Sequence, residues 1–71
     1  MTAVPLTIAL NGAPHELALP CTLAQLLEQL GLDRRTVVVE HNRGIIRRDA
    51  LDGVVIADGD AVEIVHFVGG G

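Results

Sequence analysis

Thr22-Leu23-Ala24-Gln25-Leu26-Leu27-Glu28-Gln29-Leu30-Gly31 is the stretch in which the hydrophobic period of the chain changes, and it decides the fold. Leu23, Leu26, Leu27 and Leu30 fall at i, i+3, i+4 and i+7, which is one stripe of an α-helix. Thr22 stands at the N-cap with Gln25 three residues on, the pattern of a capping box. Gly31 follows the stripe, where a left-handed residue ends a helix. Gln25, Glu28 and Gln29 take the wet side. Burying the four leucines is worth roughly 6–12 kcal/mol before conformational entropy is counted. A chain of 71 residues cannot spare that, so the stripe is predicted to be core.

On the N-terminal side the period is two. Leu6, Ile8 and Leu10 alternate with Pro5, Thr7 and Ala9, as in a half-buried strand. Asn11-Gly12 supplies a turn that accepts positive φ. Leu17 and Leu19, alternating with Glu16 and Ala18, predict the returning strand, with Pro14 near its start. On the C-terminal side Val37, Val38 and Val39 form an apolar run that fits a central strand covered on both faces. Asn42–Gly44 reads as a turn and Ile45-Ile46 as a very short strand. Residues 47–59 read as irregular, and Asp58-Gly59-Asp60 as a turn. Ala61 to Phe67 alternates again and is the predicted last strand. The order is β-β-α-β-β-β. A lone helix must lay its stripe on one face of a sheet. The expectation is an α+β fold, a β-grasp or ubiquitin-like roll. It has a mixed sheet of four to five strands and one packed helix, in a single domain over residues 1–71; this architecture allows the first and last strands to lie side by side at the centre, a pairing that the sequence leaves open.

Composition narrows the function. The five basic residues, Arg34, Arg35, Arg43, Arg47 and Arg48, are all arginine. Without lysine there is no Schiff-base chemistry and no P-loop. Phe67 is the sole aromatic and the net charge is -4, which disfavours nucleic acid and suits a basic protein partner. One cysteine forbids an internal disulfide. No signal peptide or membrane span is evident, so a cytoplasmic protein is expected. Ser is absent, which removes a serine nucleophile. His15, His41 and His66 are scattered at predicted strand ends, without the spacing of a metal site. Cys21 precedes the helix N-cap without a base or a resolving thiol, and reads as a small hydrophobe. Asp49, Asp52, Asp58 and Asp60 suit turns and solubility.

The end of the chain stands apart. Gly69-Gly70-Gly71 follows a strand directly, has nothing to bury, and has maximal backbone freedom. Residues 67–71 are therefore expected to form a flexible tail. Extended from His66, it reaches about 17 Å. Lacking Cβ atoms, its glycines can thread a narrow channel to present an ionised carboxylate; the triplet alone fits a frayed end without function equally well. A carboxylate must be activated before a nucleophile attacks it. This chain carries no phosphate-binding loop, so the activator must be another protein.

The stretch from Asp58 to Gly71, Asp-Gly-Asp-Ala-Val-Glu-Ile-Val-His-Phe-Val-Gly-Gly-Gly, closely resembles the end of the ThiS family of sulfur carrier proteins of thiamine biosynthesis. The likeness extends over the chain in length and element order, including the Asn42 turn, Ile45-Ile46 and Arg48. Arg47 departs from the family's usual proline, and Asn42-Arg43-Gly44 departs from its usual Asn-Gly. The resemblance implies a protein co-substrate with no catalytic residues of its own and no bound cofactor. An E1-like adenylyltransferase of the ThiF type would adenylate the Gly71 carboxylate with ATP. Sulfur, from a donor such as a cysteine desulfurase, would displace AMP and leave a thiocarboxylate. Thiazole synthase of the ThiG type would take that sulfur. Gly69 and Gly70 would thread the partner, and Val65, Phe67 and Val68 would dock. The alternatives are the small subunit of molybdopterin synthase, another ubiquitin-like sulfur carrier or modifier, and a binding module without tail chemistry.

Overall fold

A computed structural model of the chain describes residues 5–67. The elements are β1 (Leu6–Leu10), β2 (Ala13–Leu17), α1 (Leu23–Gln29), a 3-10 turn (Arg34–Thr36), β3 (Val37–His41), β4 (Gly44–Ile46), a second 3-10 segment (Arg48–Gly53) and β5 (Ala61–His66). They build a five-stranded sheet in the order β2-β1-β5-β3-β4. β1 and β5 are parallel neighbours at its centre, and the remaining pairs are antiparallel. The expected mixed sheet and packed helix are present, and the first and last strands, whose pairing the sequence left open, do lie side by side.

The capping box forms as the sequence predicts. The Gln25 N–H donates to Thr22 Oγ1 at 3.1 Å, and the Thr22 N–H donates to Gln25 Oε1 at 2.8 Å. Leu23, Leu26 and Leu27 are buried, and Leu30 packs half-buried at the rim. Gly31 takes φ 72° just past the helix end. Opposite the leucines the sheet contributes Ile8, Leu17, Val37, Val39, Val62 and Ile64.

Both hairpins turn on two residues of positive φ, Asn11-Gly12 (51° and 82°) and Asn42-Arg43 (50° and 75°). That double positive φ matches the right-handed twist of the strands. It also fixes the hydrogen-bond phase of each hairpin.

Three expectations are corrected. The returning strand of the first hairpin ends at Leu17, so Leu19 lies in the loop and is 61% exposed. β3 is covered on one face only: Val37 and Val39 are buried, whereas Val38 is half-exposed on the open face. Residues 47–59 are not merely irregular. The second 3-10 segment buries Leu51, and Ile56 is buried beyond it. The Ile56 N–H donates to the Cys21 carbonyl at 2.9 Å and the Leu23 N–H to the Val54 carbonyl at 3.0 Å, closing the core under the helix start.

Candidate functional site

The site is the strand that leads to the chain end. β5 is held on both flanks, by β1 and by β3, with Val38 opposite Val65 and Val37 opposite His66. One further hydrogen bond lies beyond the strand: the Phe67 N–H donates to the Thr36 carbonyl at 3.0 Å. Thr36 is itself fixed. Its N–H and its hydroxyl both donate to the Asp33 carbonyl, at 2.9 and 2.7 Å, and the Asp33 carboxylate caps the Arg35 N–H at 2.9 Å. Arg34 then joins this turn to the second 3-10 segment through a paired contact with Asp52, at 2.8 and 3.1 Å. The last described residue of the chain thus hangs from a braced turn.

Alternation along β5 splits its side chains between two environments. Val62 and Ile64 are buried toward α1. Val65 and Phe67 lie on the open face, 57% and 58% exposed. Val38 and Ile45 share that face, and a groove of about 170 Å³ beside Phe67 touches both and reaches round to the core-side Val39 and Leu51, with Arg34 and Arg48 in its lining. An apolar patch therefore surrounds the root of the chain end, with guanidinium groups at its rim. Of the expected flexible tail over residues 67–71, Val68, Gly69, Gly70 and Gly71 lie outside the described residues, whereas Phe67 is described and bonded to Thr36.

The remaining candidates fall into structural roles. His41 Nε2 meets Asp60 Oδ2 at 2.7 Å, and Asp60 also accepts from the Ala57 N–H at 2.8 Å and from Asn42 Nδ2 at 3.2 Å. Burial works against the Asp60 charge, but these donors outweigh it and hold the carboxyl below its ordinary range. Asn42 Oδ1 accepts the Ala61 N–H at 2.9 Å, so the cluster locks the β3–β4 turn to the start of β5. Asp58 accepts the Thr7 N–H at 2.8 Å. His15 lies within β2 and His66 at the end of β5. Among the described residues no His, Cys, Asp or Glu cluster could hold a metal ion. Cys21 is buried, and burial pushes its thiol pKa up against a hydrogen bond from Gln29, which disfavours the reactive thiolate. Among the described residues no helix is long and apolar enough to cross a membrane.

Sequence reasoning missed the brace beneath the chain end. Thr36, Asp33 and the Arg34–Asp52 pair lie far from residue 67 in sequence. Only Asp33-Arg34-Arg35-Thr36, a short Asp-capped turn, offered a signal.

Known proteins resemble this chain in sequence and shape. A thiamine biosynthesis protein, ThiS, from Geobacter metallireducens superposes with a TM-score of 0.81 at 35% identity, covering 93% of this chain and all of that one. The sulfur carrier protein ThiS of Bacillus subtilis is 44% identical over 50 residues, 70% of this chain and 76% of that protein. A thiazole synthase of Magnetococcus marinus is 42% identical over 64 residues, 90% of this chain. The chain spans only 20% of that synthase's length. The ThiS family model matches residues 8–71, reaching from the middle of β1 to the final glycine, and the chain belongs to that family.

Proposed function

We propose that this chain is a sulfur carrier of thiamine biosynthesis that works as a protein co-substrate. The observation that carries the reading is the family match running through to Gly71. The similarity to the Bacillus subtilis sulfur carrier supports it. In this reading a carboxylate oxygen of Gly71 attacks the α-phosphorus of ATP inside an E1-like adenylyltransferase of the ThiF type, and pyrophosphate leaves. A persulfide sulfur on a donor fed by a cysteine desulfurase then attacks the acyl carbon and displaces AMP to give an acyl disulfide. A thiol reductant cleaves its S–S bond, leaving the Gly71 thiocarboxylate while the thiol is oxidised to a disulfide. The chain supplies reach and presentation. β5 is clamped in the centre of the sheet, so a pull on the tail is resisted by two strands and by the Thr36 anchor. Gly69 and Gly70 offer no side chains to a narrow channel. ATP belongs to the partner, and the chain itself binds no cofactor.

The acceptor in this reading is a thiazole synthase of the ThiG type. Support comes from the thiazole synthases of Magnetococcus marinus and Paramagnetospirillum magneticum, in each of which a segment resembles 90% of this chain. Val65, Phe67 and Val68 are the proposed contacts, because both partners must grip the strand that feeds the tail. A cytoplasmic location goes with an ATP-dependent activation of this kind.

Intact-mass spectrometry tests the proposal. The chain is incubated with ATP, a ThiF-type enzyme, a cysteine desulfurase, cysteine and a thiol reductant. The expected change is replacement of one oxygen by one sulfur at the C-terminus. Deletion of Gly71 is expected to abolish that change while leaving the melting curve in place. An unchanged mass with partners that load another carrier would overturn the reading.

A further inference from the structure

The two edges of the sheet are built differently. In β2, Ala13 pairs with Leu10 beside a two-residue turn, which makes it a hydrogen-bonded pair. Pro14, opposite Ala9, is then in a non-hydrogen-bonded pair, and its nitrogen faces outward. Proline there costs β1 nothing and removes a donor from the free edge, a known defence against strand addition. In β4 the same phase applies. Gly44 pairs with His41 beside the turn, so Ile45, opposite Glu40, turns its N–H and C=O away from β3. No proline or carboxylate lies within Gly44–Ile46, and Ile45 is 71% exposed.

The charged residues that flank the edge strand closely are basic, while Glu40 and Glu63 line a cleft with Arg43 further in. Arg43 and Arg47 stand two residues either side of Ile45, and Arg48 follows. Among the described residues Arg43 and Arg48 pair with no carboxylate, and Arg47 meets only the exposed Asp49, at 3.4 Å. Glu40 lies one strand inward. A chain of net charge -4 thus has a locally basic edge. A second copy pairing antiparallel at Ile45 would set Arg43 against the other copy's Arg47, which is repulsive.

We propose that β4 is an augmentation edge that receives an extended acidic segment of a partner protein, with an apolar residue beside Ile45 and a carboxylate two residues to each side. Main-chain bonds to the Ile45 N–H and C=O give the pairing, and the arginines choose the sign of the partner's charge. This edge adjoins the open-face patch through Ile45, but the pairing uses no tail residue and stands whether or not the chain carries sulfur.

The test is an NMR titration of the isotope-labelled protein with acetyl-Thr-Glu-Thr-Val-Thr-Glu-Thr-amide, and with the same peptide carrying lysine for glutamate. The acidic peptide is expected to slow exchange of the Ile45 amide and to shift residues 43–47, and the lysine peptide to do neither. Arg47→Glu, at a side chain 85% exposed, is expected to weaken binding about ten-fold or more with the fold unchanged. Ile45→Pro, which removes the outward donor, is expected to abolish it. Equal binding of both peptides, shifts centred on β2 or on Val65, or no binding at millimolar peptide would overturn the proposal. A concentration-dependent dimer that protects the Ile45 amide without peptide would overturn it in favour of a second copy.

Discussion

Arg43 sits at φ 75°, a left-handed conformation that a residue with a Cβ holds at a cost of about 1–2 kcal/mol. The turn geometry requires it, because Asn42-Arg43 must match the strand twist. Glycine relieves that cost but gains about 0.5–1 kcal/mol of entropy in the unfolded chain. Arg43→Gly is therefore expected to stabilise by ~0.5–1 kcal/mol, a few degrees in melting temperature. Scanning calorimetry of the two proteins checks it. A second residue-scale outcome concerns acid. Hydrogen bonds from the Arg35 side chain and N–H hold Asp33 down at about 2, and Asp60 also lies below its ordinary 3.8. Between folded and unfolded values the unfolded chain binds more protons. The stability from these groups is thus complete above the ordinary value and drains away as pH falls toward the folded one. Melting temperatures from about pH 5 to about pH 2 are expected to fall less steeply for Asp60→Asn than for the native chain.

At the scale of the element, the helix was legible because a seven-residue segment carries a cap, a stripe and a stop that agree. The strands around it were legible by period two and by their turn residues. Leu51 and Ile56 were not. Leu51 is buried from a 3-10 segment and Ile56 from the loop beyond it, and neither stretch is long enough for a periodicity to show. Val38 misled for a related reason: three consecutive valines satisfy a strand covered on both faces and a strand covered on one. The leucine stripe packs on Leu51 as well as on the sheet, and Leu26 is fully buried in it. Leu26→Ala is expected to cost about 2–5 kcal/mol, much of the stability of so small a domain. Chemical denaturation gives the value directly. A loss below about 1 kcal/mol would mean that α1 is not the keystone of the core.

Across the whole molecule the two faces of the sheet differ: its α1 face is filled, and its open face leaves Val38, Ile45, Val65 and Phe67 wholly or partly exposed around the root of the chain end. The side on which Phe67 lies could be read from alternation along the last strand. The brace that holds it could not, because it joins segments distant in the chain. That difference between the faces makes Phe67 a sharp test. Its backbone N–H, which bonds Thr36, survives any substitution other than proline. Its ring is 58% exposed, so truncation removes little core, and Phe67→Ala is expected to change stability by less than about 0.5 kcal/mol. Binding behaves differently if the open face docks both partners, since a lone exposed aromatic is the natural anchor of such a patch. The same substitution is then expected to weaken association with the adenylyltransferase and with thiazole synthase by ten-fold or more, about 1.4 kcal/mol each. Paired measurements of melting and of affinity by calorimetry decide the matter. A large drop in melting temperature with both affinities intact would return Phe67 to the packing of the sheet and move the docking surface elsewhere.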